Sequence, residues 1–479
     1  MLPSCPMYGI DFGTSNTVVT ARAGGPAAVA PAEGAAADGT ARPGGPGGAA
    51  SAAAARVLDL GEGGVLPSLL YFERDRRPSI GAEAMADYAA ALSGSRGQAN
   101  LLSRFRFFQA IKLALKDPYF EGTRIFGDYV RVEALAALFL RETKRRADEA
   151  LAAEGLASGR RASGRAEDPA REDAGPGDGS LVLGRPVRLS EDPAEDARLE
   201  GRFREAALLA GFDSVDFVYE PVAASVDALD GGRGRGTVLV FDFGGGTLDI
   251  SVARGGERGV EILSSAGMDL GGYLLNEDLA RARIVGHFGA GGKWRTMTGR
   301  WLEMPAWITN QVASFYALPL ADLQRTRTTV KELVYDARRE DKDKLRGLVE
   351  FLDRNLAFEL FARIDGAKIE LSGAEESSIA YAVPPYIEFE ERLARADFEA
   401  LVAPRVEAAR LLVLEALAKA GVEAGRVDRV VRVGGSSRVP AFVRMLEGLF
   451  SGRVEEGAVF TSIASGLIAA RDRGLVAGA

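Results

Sequence analysis

A strand that ends in aspartate and runs into a glycine turn occurs twice in this chain, and that repeat limits what it can fold into. The stronger copy is Asp242-Phe243-Gly244-Gly245-Gly246-Thr247-Leu248-Asp249, preceded by the apolar strand 237–243 and followed by a second strand from Leu248 to Ala253. The weaker copy opens the protein as Tyr8-Gly9-Ile10-Asp11-Phe12-Gly13-Thr14-Ser15-Asn16-Thr17, with the strand Val18 to Arg22 leaving the turn. Each copy sets one carboxylate at a strand end, beside backbone N–H groups bare enough to meet phosphate oxygens. Two such turns facing each other are suited to a nucleoside triphosphate and its magnesium, held between two lobes.

Composition narrows the chemistry. The 479 residues suffice for two or more domains, and 47% apolar with 26% charged residues is ordinary for a globular chain. A net charge of −8 argues against a general nucleic-acid binder, and the basic cluster Lys144-Arg145-Arg146 reads as a solvated helix face. One cysteine, Cys5, excludes an internal disulfide or a Cys-based zinc site, and the single histidine, His287, cannot form a His-based metal site alone. Catalysis must therefore rest on carboxylates, lysine, hydroxyls and a metal. No apolar run approaches the roughly 18 residues of a membrane span, and the opening residues lack the basic region of a secretory signal. The expectation is a cytoplasmic protein with no membrane partner.

Two segments fall outside the alternation of strands and helices. Residues 23–55 are almost entirely Ala, Gly and Pro, and 155–180 are polar and Gly/Pro-rich. Both read as disordered insertions, the first as an expanded hairpin tip. The remainder predicts helices at Arg131–Ala152, Pro193–Ala210, Val222–Leu229 and Asp397–Ala420, with strands at Leu181–Leu183, Ser214–Tyr219 and Arg429–Val433. Two similar halves follow: a first lobe over 1–232 and a second over 233–479. In the second, 285–365 is a divergent helical subdomain, and a terminal helix near 463–473 returns to the first lobe. The aromatics Phe288, Trp294, Trp301, Trp307, Phe315 and Tyr316 lack regular spacing and read as core or surface packing, not base stacking.

Taken in order, the motifs resemble the actin-like ATPase superfamily and, within it, the heat shock protein 70 family. Gly9 to Thr17 looks like the first phosphate motif, and Tyr219-Glu220-Pro221-Val222-Ala223-Ala224-Ser225 like the first connecting motif. Phe241 to Ser251 matches the second phosphate motif. Val433-Gly434-Gly435-Ser436-Ser437-Arg438-Val439-Pro440 matches the adenosine motif, and Phe460 to Ala470 is a worn second connecting motif. The resemblance implies a duplicated, ribonuclease H-like α/β fold with two lobes around a nucleotide cleft.

It also implies roles. Asp11 and Asp242 would hold magnesium through its waters. Gly13, Thr14, Ser15, Asn16, Gly244, Gly245, Gly246 and Thr247 would donate to the β- and γ-phosphates, and Glu220 would orient the attacking water. A lysine near the γ-phosphate is expected, with Lys112 the candidate and Lys116 the reserve; a helix-surface position is the rival reading of Lys112. Gly434, Gly435, Ser436 and Arg438 would flank the adenosine. Asp365, Lys368 and Ser372 resemble the adenine-contacting helix, with Ile369 where the family usually has arginine. Asp249 is read as a hairpin carboxylate satisfied by nearby N–H groups.

Only 13 residues follow Gly466, and Phe460-Thr461-Ser462 replaces the usual acidic start of the last motif. The expectation is an ATP-binding module without a peptide-binding domain. It would hydrolyse Mg-ATP slowly and switch protein partners through its lobe angle. The rivals are a small-molecule kinase of the same superfamily, an actin-like filament protein, and a non-hydrolysing scaffold.

Overall fold

The computed structural model describes residues 6–22, 55–61, 63–74, 76–94, 104–154, 179–230, 235–256, 259–313, 324–354, 356–458 and 460–477. Strand Met7–Phe12 lies inside a sheet, antiparallel to Asn16–Arg22 on one side and parallel to Ser180–Arg185 on the other. Ser214–Tyr219 continues the parallel side. Arg56–Val57 and Leu66–Pro67 pair with Asn16–Arg22.

The second half repeats the plan. Strand Gly236–Phe243 is antiparallel to Leu248–Gly256, which pairs with Gly259–Met268, and parallel to Arg429–Val433, which pairs with Val454–Glu456. In both sheets the aspartate is the last residue but one of the central strand, and the glycine turn leads into its antiparallel neighbour. Gly236–Phe243 is buried on both faces after its first residue. From Val238 onward its apolar run is broken only by Asp242, which reflects helices covering both sides of the sheet.

Helix Glu220–Asp230 packs against both sheets, and Ser462–Asp472 packs against that helix and the first sheet. Their apolar faces form one core that includes Val182 and Val218 from the first sheet and Val238, Val240 and Val431 from the second. The crossing is close because Gly466 has no side chain: a β-carbon there would stand 1.9 Å from Ala223 O. Thr20 Oγ1 donates to Ala464 O at 2.9 Å and Arg471 Nε to Asp216 at 2.9 Å, fixing the terminal helix on the first sheet.

Several expectations need correction. Lys144 is not on a solvated face: it is buried, with its ammonium over the Tyr8 and Phe212 rings and bonded to Asp148 at 3.0 Å. Block 285–365 holds the helices Ala306–Ala313, Gln324–Asp336, Lys342–Asp353 and Ala357–Glu370, but also a hairpin of Lys293–Arg295 with Trp301–Glu303. Of its aromatics, Phe288 is core, whereas Trp301 and Trp307 are exposed; Phe315 and Tyr316 lie outside the described residues. Cys5 and nearly all of 23–55 and 155–180 also lie outside them, although Ser180 already belongs to a strand. The ends of the first insertion meet as expected of a hairpin, with Thr20 opposite Val57 and Ala21 opposite Arg56. Among the described residues no helix is long and apolar enough to cross a membrane.

Candidate functional site

The two glycine turns touch. A β-carbon added to Gly245 would stand 2.9 Å from Ser15 Oγ, and one on Gly246 would stand 2.3 Å from Thr14 Oγ1. Only glycine lets the turns approach this closely, so the hydroxyls of the first face the bare backbone of the second. The second turn is closed by Gly244 N donating to Thr247 O at 3.1 Å. It is braced from behind by Gly272 N on Gly244 O and Tyr273 N on Gly245 O, both at 3.0 Å. The first turn is held by Ser68, whose hydroxyl donates to Gly13 O at 2.8 Å and whose amide donates to Ser15 O at 2.9 Å. Sequence reading missed Ser68, which acts across 55 positions and belongs to no motif. Asn16 opens strand Asn16–Arg22, opposite Pro67.

Behind the turns lies a buried charged cluster. Lys112 sits on the short helix Ile111–Lys116, entered through Ala110 in a left-handed conformation with φ of 54°. Its Nζ lies 2.5 Å from Oε1 of Glu220, the first residue of helix Glu220–Asp230. Both side chains are buried, so the surface reading of Lys112 does not hold. Lys116 points elsewhere, bonding Asp269 at 3.2 Å. Gly184 leaves room for Glu220: a β-carbon there would stand 3.3 Å from its Cγ. Asp249 lies opposite Asp242 in the strand register, and its Oδ1 accepts the Val187 amide at 2.8 Å.

Burial, and then the charge of Glu220, pushes Asp11 up to about 7, with Lys112 opposing. Asp242 is held well above the usual carboxylate range by burial, then by Glu220, Asp249 and Asp11. Asp249 is raised to about 7 by burial and Glu220, against Thr247, the Val187 amide and Lys116. Burial depresses the Lys112 ammonium, but Glu220 and Asp11 outweigh it and raise the group overall. The cluster therefore carries more carboxylate than its lysine neutralises, which is the electrostatics of a cation site. Among the described residues no three His, Cys, Asp or Glu side chains converge tightly enough to cage a metal directly. Two carboxylates beside open glycine turns instead fit magnesium, which keeps several waters.

The glycine-serine run 433–440 lies against the second turn. Gly434, with φ of +78°, abuts Phe243 O, 2.4 Å from where its β-carbon would be. Ser436 Oγ donates to Gly244 O at 3.0 Å. Gly435 opens the 3-10 turn Gly435–Arg438. A β-carbon on Gly272 would meet Ser436 Oγ at 2.2 Å and Lys368 Nζ at 3.4 Å, so the motif and the helix Ala357–Glu370 converge there. Lys368 Nζ bonds Asp365 Oδ1 at 2.6 Å, and Asn276 Nδ2 donates to the same oxygen at 2.9 Å. Burial raises the Asp365 carboxyl, but Lys368 and Asn276 more than offset it and leave it below the ordinary range. Ser372 Oγ turns back to Lys368 O at 3.3 Å. Arg438 is held by Glu456, its Nε 3.0 Å from Oε1. Asn276 was not foreseen, because only the folded helix pairing brings it to Asp365.

A family model described as Hsp70 protein matches residues 200–289 and 334–459. The gap between the two matched stretches contains the hairpin Lys293–Arg295 with Trp301–Glu303. The chain is similar to the chaperone protein DnaK of Deinococcus deserti, 30% identical over 286 residues, which is 57% of this chain and 36% of that one. It is similar to DnaK of Deinococcus proteolyticus at 28% over 316 residues, covering 63% of this chain and 41% of the relative. Chaperone protein DnaK 3 of a Synechococcus species is 28% identical over 306 residues, 63% of this chain and 40% of its own length. Each match thus takes in less than half of the relative. With two sheets of one plan, paired glycine turns and these matches, the chain is similar to the heat shock protein 70 family over part of its length and has the duplicated actin-like ATPase fold.

Proposed function

We propose that this protein binds Mg-ATP between two lobes, 1–232 and 233–479, and hydrolyses it slowly as a conformational switch. The observation that carries the reading is the buried Lys112–Glu220 pair, set among Asp11, Asp242 and Asp249 where the two glycine turns meet.

Asp11 and Asp242 would hold magnesium through its water shell. The ion, when bound, would neutralise charge on the β- and γ-phosphates. Backbone N–H groups of Gly13, Gly244, Gly245 and Gly246, with the hydroxyls of Thr14, Ser15 and Thr247, would bind the phosphate oxygens, Asn16 standing at the strand start beside them. Lys112 would place its ammonium on the γ-phosphate. Glu220 would accept a hydrogen bond from the attacking water and orient it in line. Gly434, Gly435, Ser436, Arg438, Asp365, Lys368 and Ser372 would take the adenosine.

Helix Glu220–Asp230, packed on both sheets, and Ser462–Asp472, packed on it and on the first sheet, would carry a change of cleft angle to the surface. The partners on this reading are proteins, clients or cofactors of a chaperone-type ATPase, and the location is cytoplasmic. Phosphate release in a single turnover tests it: slow release that needs magnesium supports hydrolysis. ADP release that depends on an added sugar or acid would favour a kinase. Binding without release would favour a scaffold.

A further inference from the structure

The base end of the site holds an aromatic ring that the motifs do not explain. Phe460 lies against Gly435: a β-carbon on that glycine would stand 3.8 Å from one ring carbon and 4.0 Å from the next. The ring is 42% exposed, although Ser462, Ile463 and Ala464 just beyond it are buried. Among the described residues, the polar side chains assigned to the adenosine are already engaged: Lys368 with Asp365 at 2.6 Å, Ser372 with Lys368 O at 3.3 Å and Ser436 with Gly244 O at 3.0 Å. Arg438 donates through Nε to Glu456 at 3.0 Å, and Ile369 is aliphatic and 63% exposed. What the chain offers there is a flat ring and glycine backbone, with an aliphatic side chain on the adenine-contacting helix. That chemistry favours stacking over hydrogen-bond readout.

We propose that Phe460 is a specificity-determining residue that stacks on the nucleobase, so that the site accepts purine nucleotides in general and not adenine alone. This rests on the nucleotide reading of the cleft. Every base presents a π-face, so stacking is tolerant of base identity, whereas a site built on hydrogen bonds rejects a wrong partner by about 10⁴–10⁵-fold. Phosphate contacts at the glycine turns would supply binding common to all such ligands.

The experiment is calorimetric titration of the full chain with Mg-ATP, Mg-GTP and magnesium tripolyphosphate. It is run on the wild type, Phe460→Ala, Phe460→Leu and Phe460→Trp, each checked for an unchanged melting temperature. The wild type should bind ATP and GTP within about tenfold of one another. Phe460→Ala should weaken both by about tenfold or more and leave tripolyphosphate unchanged. Phe460→Leu, which keeps apolar bulk without a flat ring, should behave like the alanine variant, and Phe460→Trp should retain affinity. Wild-type ATP affinity in both Phe460→Ala and Phe460→Leu overturns the stacking role while leaving the nucleotide reading intact. An ATP preference over GTP of about a hundredfold or more also overturns it. A wild type that binds none of the three ligands removes both readings.

Discussion

Lys112 Nζ lies 2.5 Å from Glu220 Oε1, and the pair joins residues 108 positions apart inside a water-poor cluster. A buried ion pair of this kind is weak evidence of net stability but very sensitive to loss of one partner. Lys112→Met leaves Glu220 buried beside Asp11 and Asp242 without its counter-charge, and should destabilise the fold by ~3–5 kcal/mol. The double variant Lys112→Met/Glu220→Gln should recover most of that loss. Urea denaturation of the four proteins measures the coupling; additive losses would show that the two groups act independently.

Glu220→Gln alone separates binding from chemistry. The amide keeps size and reach but is a weaker acceptor for an attacking water. Turnover should fall on the order of a hundredfold with nucleotide affinity nearly kept. Single-turnover phosphate release and titration together check this, and wild-type turnover would remove Glu220 from the mechanism.

Asp249 provides a pH test. Burial and Glu220 raise its carboxyl to about 7, above its unfolded value, so the folded state holds a proton that the unfolded state has released between roughly pH 4 and 7. Its contribution to stability is present at low pH and lost as pH rises through about 7. Asp249→Asn removes the buried charge while its amide oxygen can still accept the Val187 N–H. Thermal melts without nucleotide should show a gain in stability at pH 8 that shrinks towards pH 5.5. A gain that grows on acidification would contradict the assignment.

Gly466→Ala should loosen the contact that couples the two sheets. The added methyl would meet Ala223 O at 1.9 Å, and the helices would have to separate. Overpacking of this kind costs about 1–3 kcal/mol, occasionally more. A melting temperature equal to the wild type would mean that the crossing relaxes freely.

Removing residues 25–54 and closing the gap with a short turn should leave nucleotide affinity unchanged. The ends of that segment meet as antiparallel neighbours, Ala21 opposite Arg56, and shortening a loop changes closure entropy little. An insoluble product, or one that loses affinity, would show that the segment contributes to the fold.

Which parts of this site could be read in advance follows from how local each is. A strand, its aspartate and the glycine turn are contiguous, so both glycine turns and their central strands were visible in the one-dimensional pattern. Lys112 was reached only through resemblance, since its partner Glu220 is distant in sequence and its six-residue helix is too short to show a period. Ser68, Asn276 and the Arg438–Glu456 pair were invisible because each depends on side chains brought together by tertiary pairing. The hairpin Lys293–Arg295 with Trp301–Glu303 escaped for another reason: three-residue strands carry too few positions for alternation to emerge. Lys144 was misread because a basic run gave no sign that the Tyr8 and Phe212 rings would cover it.

The central claim is that Asp11 and Asp242, at the meeting of two glycine turns, make a magnesium-dependent nucleotide site. Calorimetric titration of the full chain with ATP, with and without magnesium, beside Asp242→Asn, tests it most directly. One saturable site should appear with magnesium and weaken without it, and Asp242→Asn should lose most of the metal dependence. At ligand a hundred times its dissociation constant, the wild type should gain ~2.7 kcal/mol of stability. No binding heat and no rise in melting temperature at millimolar Mg-ATP, from folded protein, would contradict it.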